Sequence, residues 1–431
     1  MRALKYKELK SLHDKHGSDF VVKHLSEALG VNNTRQAIAA QEEAPKAALK
    51  PEDINLTEIA RVLFGHHTVE DIKAGALMSE AVDGVDSTTF ANITGQVISA
   101  KVMETYQMET ALASSLIRTE STRLDNERRP GITRTGDVSQ TVHEGMPYET
   151  FGFGEEYQDY PAGVKRGHIV AVTREAVFFD RTAMVLQRAG EVGTWLGINK
   201  EKRIWDVILG ITNNYNWNGN AYNTYYPPGA GAPWSNIHVQ PLRNWTNIDL
   251  AERLFDGMTD PATGEPVLIS GATIIVMPPN FMTAKYILSA TETRDIQANQ
   301  ANMIGGNPLS GYTLASKSRL ARARLATLVG AGMTNNTADA TWLLGDFKKA
   351  FVYRENWPIG VRQEPTNAAA EFEQDIVARY RADERGVAAV DNPRFVIISS
   401  SGADHSSSDQ AVPVPEDWPG SSAYGATGII T

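Results

Sequence analysis

The residue types that most often do chemistry in enzymes are present in this sequence, but without the spacing that such chemistry needs. There is no cysteine among the 431 residues, which excludes disulfides, thiolate catalysis and cysteine-based metal sites. His66 and His67 are adjacent, and neighbouring residues on a helix point about 100° apart, so they are poorly placed to bind one metal ion. We interpret them as surface histidines.

Carboxylates, serines and glycines also lack the spacing that catalysis or phosphate binding needs. Glu155 and Glu156 are adjacent, and in an extended segment they face opposite ways, so they do not form an acid–base pair. The sequence has no Gly-x-Ser-x-Gly elbow. Gly152–Gly154 and Gly229–Gly231 lack the strand, helix and Lys-Ser/Thr context of a phosphate-binding loop. We therefore predict no catalytic residue, no metal site and no cofactor.

A stretch rich in asparagine, tyrosine and tryptophan between residues 213 and 234 suggests one alternative function. Aromatic rings beside amides are typical of sugar-binding grooves, and Trp217, Tyr222, Tyr225 and Trp234 are the candidates here. The other interpretation is a loop that packs its rings on its own domain or on a neighbour. We favour the packed loop because no paired carboxylates flank it, and keep a carbohydrate-binding or carbohydrate-active protein as an alternative.

Composition and charge limit the class of protein. Hydrophobic residues make up 42% of the chain, which is enough for a packed core. The net charge of −10 argues against a protein that grips nucleic acid by its phosphates. No apolar run approaches the roughly 18 residues that cross a membrane, and no apolar segment of a secretory signal follows the basic start. We expect a protein made and folded in a cytoplasm, without membrane contact.

Hydrophobic periodicity predicts the elements that must position any site. The strongest helix runs from about Thr182 to Leu209 and would be roughly 40 Å long at 1.5 Å per residue. A buried strand at Ala272–Met277 is stopped by two prolines and followed by a helix. Further helices are expected over residues 1–30, 54–64, 69–77, 92–116 and 249–255, and a loop over 211–247.

Two ribbons of paired strands complete the prediction. The first is a long hairpin within 143–173, with arms around 148–151 and 168–172 and glycine and proline residues at its tip. Lys165 and Arg166 follow this tip and could form salt bridges to an adjacent subunit. The second ribbon pairs strands around Trp357–Arg362 and Phe372–Arg385. It carries acids and arginines at close spacing without a pocket, a pattern suited to contact with other copies of the chain.

In this order, the elements resemble the major capsid protein of tailed bacteriophages, the Hong Kong 97 type of fold, over roughly residues 87–398. Four segments carry the resemblance, and their order and spacing together are more specific than any one of them. They are Val172–Asp180 at the start of the spine helix, Ser270–Pro279 in the axial domain, Leu344–Phe347 closing that domain, and Phe372–Arg381 through Asp391–Phe395 returning to the core.

The resemblance implies an α+β fold with an N-terminal arm, an extended β-hairpin loop, a peripheral domain built on a long spine helix, and an axial α/β domain. The implied domain boundaries are 1–86 for a helical N-terminal extension, 87–142 for the N-arm, 143–172 for the extended loop, 173–210 with 358–398 for the peripheral domain, 211–357 for the axial domain, and 399–431 for a C-terminal tail.

The resemblance also implies a structural function. The chain would assemble with itself, as pentamers and hexamers, into an icosahedral shell around double-stranded DNA that it does not read by sequence. Scaffold, portal and decoration proteins are the implied partners, and the location is the virion, assembled in the host cytoplasm. Within the same fold, the alternative is an encapsulin-type nanocompartment that encloses a protein cargo.

Contacts between subunits are then expected at the hairpin tip and on the C-terminal ribbon. Some family members crosslink a loop lysine to an asparagine near the tip of the peripheral domain. Lys165 corresponds to the lysine, but the asparagine position falls in Ala368–Ala370 with Asn367 only nearby, so we expect no crosslink. The interface candidates are Tyr157, Tyr160, Lys165, Arg166, Glu364, Asn367, Arg379, Arg381, Glu384 and Arg385.

Overall fold

The computed structural model describes residues 87–106, 112–133, 154–173, 182–363 with short gaps between 239 and 334, and 376–399, besides Lys15. The described chain divides into two compact units. The first takes its residues from 1–111, 164–199 and 357–385, and the second from 112–163, 200–356 and 386–431. The helices expected before residue 78, the hairpin arm around 148–151 and the tail beyond Ser399 lie outside the described residues.

Helices account for much of the described chain. The helix expected over Thr182–Leu209 runs over Thr182–Ile208 and has 27 residues, so it is about 40 Å long. In chain order the helices are α1 (Ser87–Tyr106), α2 (Leu112–Leu116), α3 (Thr182–Ile208), α4 (Trp245–Asp256), α5 (Phe281–Ser289), α6 (Arg319–Ala326), α7 (Asn335–Ala340) and α8 (Phe347–Ala350).

Strands in the described residues form sheets with the orders β1-β12-β13-β4, β10-β7-β11-β14, β2-β3-β5-β6 and β8-β9. The two strands expected in the C-terminal ribbon are present as β12 and β13, which are longer than the sequence indicated. The bounds are β1 (Arg118–Ser121), β2 (Arg128–Thr133), β3 (Gly154–Asp159), β4 (Val164–Thr173), β5 (Tyr215–Trp217), β6 (Asn220–Tyr222), β7 (Thr273–Val276), β8 (Glu292–Arg294), β9 (Ile304–Gly306), β10 (Thr313–Leu314), β11 (Trp342–Gly345), β12 (Phe351–Gln363), β13 (Ile376–Val390) and β14 (Val396–Ile398).

In the first unit, α1 packs against the N-terminal half of α3. The apolar stripe of α3 is buried at Val185, Ala189 and Leu196. The two helices approach closely at Gly193, where a Cβ would lie against the carbonyl oxygen of Val102 and 3.2 Å from its carbonyl carbon. Glycine at this position therefore sets the distance between the helix axes, because a larger residue would meet backbone atoms that cannot rotate away.

Two glycines one turn apart on α3 provide a matched test of this contact. Gly193→Ala is expected to lower the free energy of unfolding by about 1–2 kcal/mol, since the clash outweighs the better helix propensity of alanine. Gly190→Ala is expected to be neutral or stabilising by up to about 1 kcal/mol, because its Cβ would make ordinary contacts, 3.5 Å from Thr105 Cγ2. Guanidinium unfolding of both variants measures the difference, and equal midpoints would contradict the assignment.

The second unit is layered around the sheet β10-β7-β11-β14. Alternate residues of a strand point to opposite faces, and both faces of this sheet are buried, so β7 and β11 read as continuous apolar runs. Ile274 and Val276 face a cluster that includes Phe255 of α4 and Ile287 of α5. Ile275 faces the other cluster, which includes the following side chains near the end of α3 and around β12: Ile204, Trp205, Ile208, Phe347 and Phe351.

The segment expected as the tip of the hairpin is itself a strand, while the pairing of the two expected arms stays a prediction, because the arm around 148–151 lies outside the described residues. The segment expected as the tip contains β3 (Gly154–Asp159), which pairs with β2 and β5 in the second unit. Strand β4 (Val164–Thr173) lies in the first unit, next to β13. The two segments on either side of Pro161 therefore do not pair with each other. Arg128 of β2 also forms a bidentate ion pair with Asp159 of β3, with Nε 2.7 Å from Oδ1.

The region expected as a loop over 211–247 contains a short hairpin. Strands β5 and β6 pair in antiparallel register, with Tyr215 opposite Tyr222. Asn218 and Gly219 connect them with φ values of 50° and 77°. Two consecutive positive φ values are typical of the type I′ turn, for which Asn-Gly is the preferred pair. The Asn-Gly pair in the sequence therefore indicates this turn, but it is hard to recognise among the many neighbouring asparagines.

Candidate assembly surfaces

Strands β4 and β13 bring two of the predicted interface cations together in the first unit. The Nζ atom of Lys165 lies 3.4 Å from Asp383 Oδ2, and the Nε atom of Arg381 lies 3.5 Å from Asp383 Oδ1. Asp383 is buried, whereas both cations are about half exposed. One internal carboxylate thus holds two cationic side chains at the surface of this unit, where they remain accessible to a partner.

The other candidates on β13 have different environments. Glu384 is buried and accepts a hydrogen bond from the Tyr106 hydroxyl at 2.7 Å, so it anchors α1 inside its own unit. The guanidinium of Arg385 lies 5.4 Å from the centre of the Trp357 ring. Arg379 is partly exposed, and so is Arg166 on β4. An interface role for all of these residues stays a prediction.

The two tyrosines near the expected hairpin tip belong to the second unit and differ in exposure. Tyr157 is partly exposed, with the Arg128 guanidinium 4.0 Å from its ring centre. Tyr160 is only 2% exposed, and its hydroxyl donates to the carboxylate of Asp391. Burial and this hydrogen bond raise the pKa of Tyr160 well above its usual value. Tyr160 therefore acts inside its unit as a brace between β3 and the end of β13.

Asp391 is a structural residue that the sequence did not reveal. Besides Tyr160, it binds Arg118 Nη2 at 3.0 Å and Arg129 Nη1 at 3.1 Å. These partners precede it by more than 230 residues, so no local spacing relates them. The remaining interface candidates, Glu364 and Asn367, lie outside the described residues, and their role stays a prediction.

The aromatic residues of the proposed carbohydrate site pack on one another. Trp234 and Tyr225 are buried, and the Trp234 ring lies 5.4–5.7 Å from the rings of Tyr222, Tyr215 and Tyr226 at tilted or perpendicular angles. The Tyr225 hydroxyl donates to the backbone carbonyl of Ile208. Burial raises the pKa of Tyr215 to about 12. Tyr215, Tyr225 and Trp234 therefore form part of the core, and Trp217 and Tyr222 pack partly buried against it. This agrees with the packed-loop interpretation and leaves no open stacking face on Trp234.

The described part of the chain has no group of metal ligands and no helix that could cross a membrane. Among these residues, no three histidine or acidic side chains come together in a group that could hold a metal ion. None of the described helices is both long enough and apolar enough to span a membrane.

Comparison with known proteins identifies the family. The model of a phage capsid protein family matches residues 160–399, which is more than half of the chain. No curated protein matches the chain at a significant level. Solved structures of similar shape include the capsid of cyanophage Pam1, with 13% sequence identity, a TM-score of 0.42, and coverage of 69% of this chain and 93% of the other.

Two other similar structures have comparable values. One is described as Gordonia phage Cozz, with 12% identity, a TM-score of 0.41, and coverage of 68% of this chain and 87% of the other. The second is the capsid of a native GTA particle, with 11% identity, a TM-score of 0.41, and coverage of 69% and 91%. The family match, together with the observed long helix and mixed sheets, confirms the predicted α+β capsid fold of the Hong Kong 97 type. The chain belongs to the phage capsid protein family and is a structural protein of the virion.

Proposed function

We propose that this chain is the major head protein of a phage and assembles with itself, as pentamers and hexamers, into a closed icosahedral shell around double-stranded DNA. The match of the capsid family model over residues 160–399 carries the proposal. A closed shell multiplies many weak contacts between identical subunits, so no single contact needs to be strong. The chain works without catalysis or a cofactor, and assembly takes place in the host cytoplasm.

The charge of the chain supports a DNA container that does not grip its contents. The formal net charge of −10 at pH 7 means that the chain as a whole repels phosphate. A negatively charged container holds DNA without gripping its phosphates, and it requires no sequence-specific contact. The half-exposed cations Lys165 and Arg381 are then candidates for pairing with acidic groups of neighbouring subunits. Scaffold, portal and decoration proteins are the other partners of the proposal.

Electron microscopy of the expressed full-length chain tests the proposal. We expect closed shells or capsomers, formed alone or with a co-expressed scaffold from the same genome, and nuclease-protected double-stranded DNA in particles from lysates. A chain that stays monomeric at all concentrations and with scaffold would contradict self-assembly. Shells that contain one protein cargo and no DNA would contradict the genome-packaging part and support the nanocompartment alternative.

A further inference from the structure

A groove of about 940 Å³ lies within the first unit, between strand β4 and the exposed side of α3. Residues 165–171 of β4 form one wall, and residues between Arg188 and Asn199 of α3 form the other. The helical wall spans 12 residues, so the groove is about 18 Å long at 1.5 Å per residue. An extended chain that rises about 3.1 Å per residue would place roughly six residues along it.

The groove exposes large apolar side chains that the unit does not cover. Trp195 of α3 is 58% exposed, and Ile169 of β4 is 64% exposed. Both residues line the groove. An exposed tryptophan next to an exposed isoleucine in a concave surface is typical of a site that binds another chain segment.

The polar side chains of the groove are mostly cationic. Lys165, Arg166 and Arg188 line it, together with His168, and Glu191 is the carboxylate among the lining residues. Lys165 also contacts the buried Asp383 beside the groove. An occupant of matching chemistry would be acidic and would carry apolar or proline residues for Trp195.

The C-terminal tail of the same chain has this composition. Residues 400–431 contain four acidic residues and no lysine or arginine. Within them, Val412–Pro419 reads Val-Pro-Val-Pro-Glu-Asp-Trp-Pro. A residue that precedes proline is kept out of the helical region, so this sequence favours an extended segment, and such proline-rich segments bind aromatic-lined grooves with little loss of entropy.

We propose that the segment Val412–Pro419 docks in the groove between β4 and α3, with its last six residues, Val414–Pro419, along the groove. Its prolines then lie against Trp195, and Glu416 and Asp417 lie near Arg188 and Arg166. The contact would tie the C-terminus to the unit that carries Lys165 and Arg381. The proposal goes beyond shell formation and does not depend on it, because the groove is complete within one unit.

Disulfide trapping in the full-length chain tests the docking, because the chain contains no cysteine of its own. The variant Glu191→Cys with Val414→Cys places one thiol in the groove and one in the segment. The matched control, Leu250→Cys with Val414→Cys, places the first thiol at an exposed position of α4 instead. Under mild oxidation we expect the groove pair to form a disulfide at least roughly tenfold faster than the control pair.

A charge reversal separates docking from chance collision. Adding Glu416→Lys and Asp417→Lys to the groove pair is expected to slow trapping by roughly tenfold, since two ion pairs become repulsive. A crosslinked monomer means that the segment occupies its own groove, and a crosslinked dimer from a mixture of the single-cysteine chains means that it occupies a neighbour's. Both support the proposal. Equal trapping at positions 191 and 250, no trapping at 191, or no effect of the reversal would overturn it.

Discussion

Replacement of Arg354 by methionine is expected to lower the free energy of unfolding by about 3 kcal/mol, because it breaks a largely buried charge cluster. The Arg354 side chain is 8% exposed and lies in the second unit. Its Nη1 atom lies 2.9 Å from Glu120 Oε2, and its Nη2 atom donates to Glu127. Its guanidinium also lies 4.5 Å from the centre of the Tyr160 ring. Methionine preserves much of the length and apolar contact but leaves the two carboxylates without this cation.

The size of the expected loss in unfolding free energy for Arg354→Met depends on how exposed Glu120 and Glu127 are. The side chains of Glu120 and Glu127 are 31% and 26% exposed, so water recovers part of their lost interaction. Glu120 also keeps Arg118, whose Nε atom lies 2.8 Å from it. These two features place the expected loss at the lower end of the range of about 3–5 kcal/mol for breaking a buried pair.

Arg128→Met provides the matched control, because Arg128 also pairs with a carboxylate in the same unit but is mostly exposed. An exposed ion pair of this kind adds little to the free energy of unfolding, since water and salt screen it. No resolvable change of the unfolding midpoint is therefore expected. Guanidinium unfolding followed by tryptophan fluorescence measures both variants. Similar midpoints for Arg354→Met and Arg128→Met would show that burial of the cluster does not matter.

Elements with a local signal could be predicted from the sequence. The helix over Thr182–Ile208 shows its apolar stripe at helical spacing, and the strand Thr273–Val276 is bounded by prolines that follow it directly. Strand β12 of the C-terminal ribbon begins Phe-Val-Tyr and carries further aromatic and β-branched residues, which favour extended structure. In each case the residues that fix the element are within a few positions of one another, so a window of the sequence contains the cause.

Partners that are distant in the chain could not be predicted. The sequence places Gly154–Asp159 at the tip of a hairpin, and nothing local shows that this segment is a strand that pairs with β2. The sequence shows that Glu384 is an acidic residue. It does not show that its carboxylate accepts a hydrogen bond inside the unit from the hydroxyl of Tyr106, which lies 278 residues earlier. The same holds for Glu201, which is buried because its carboxylate accepts hydrogen bonds from the backbone N–H groups of Ala113 and Ser114 at the start of α2. Whether a charge is solvated or buried depends on contacts that only the folded chain creates.

The structure explains why the Gly-Asp-Phe segment, part of the resemblance to the capsid family, begins with glycine. Gly345 ends β11 opposite Val396 of β14 and has a φ of 157°. A Cβ at this position would lie 2.8 Å from Val396 Cα and against the carbonyl oxygen of Phe395. The next residue, Asp346, donates its backbone N–H to that same carbonyl at 2.9 Å. Glycine therefore lets two backbones meet closely enough for this hydrogen bond.

Gly345→Ala is accordingly expected to lower the free energy of unfolding by about 3 kcal/mol, the sum of a clash with backbone atoms and an unfavourable φ. Gly257→Ala in the same unit is the control, because its Cβ would lie no closer than 3.7 Å to Leu254 O, and a change within about 0.5 kcal/mol is expected. Guanidinium unfolding followed by tryptophan fluorescence measures both variants. If both alanine variants unfold at the wild-type midpoint, the close approach of β11 and β14 is not what requires glycine at position 345.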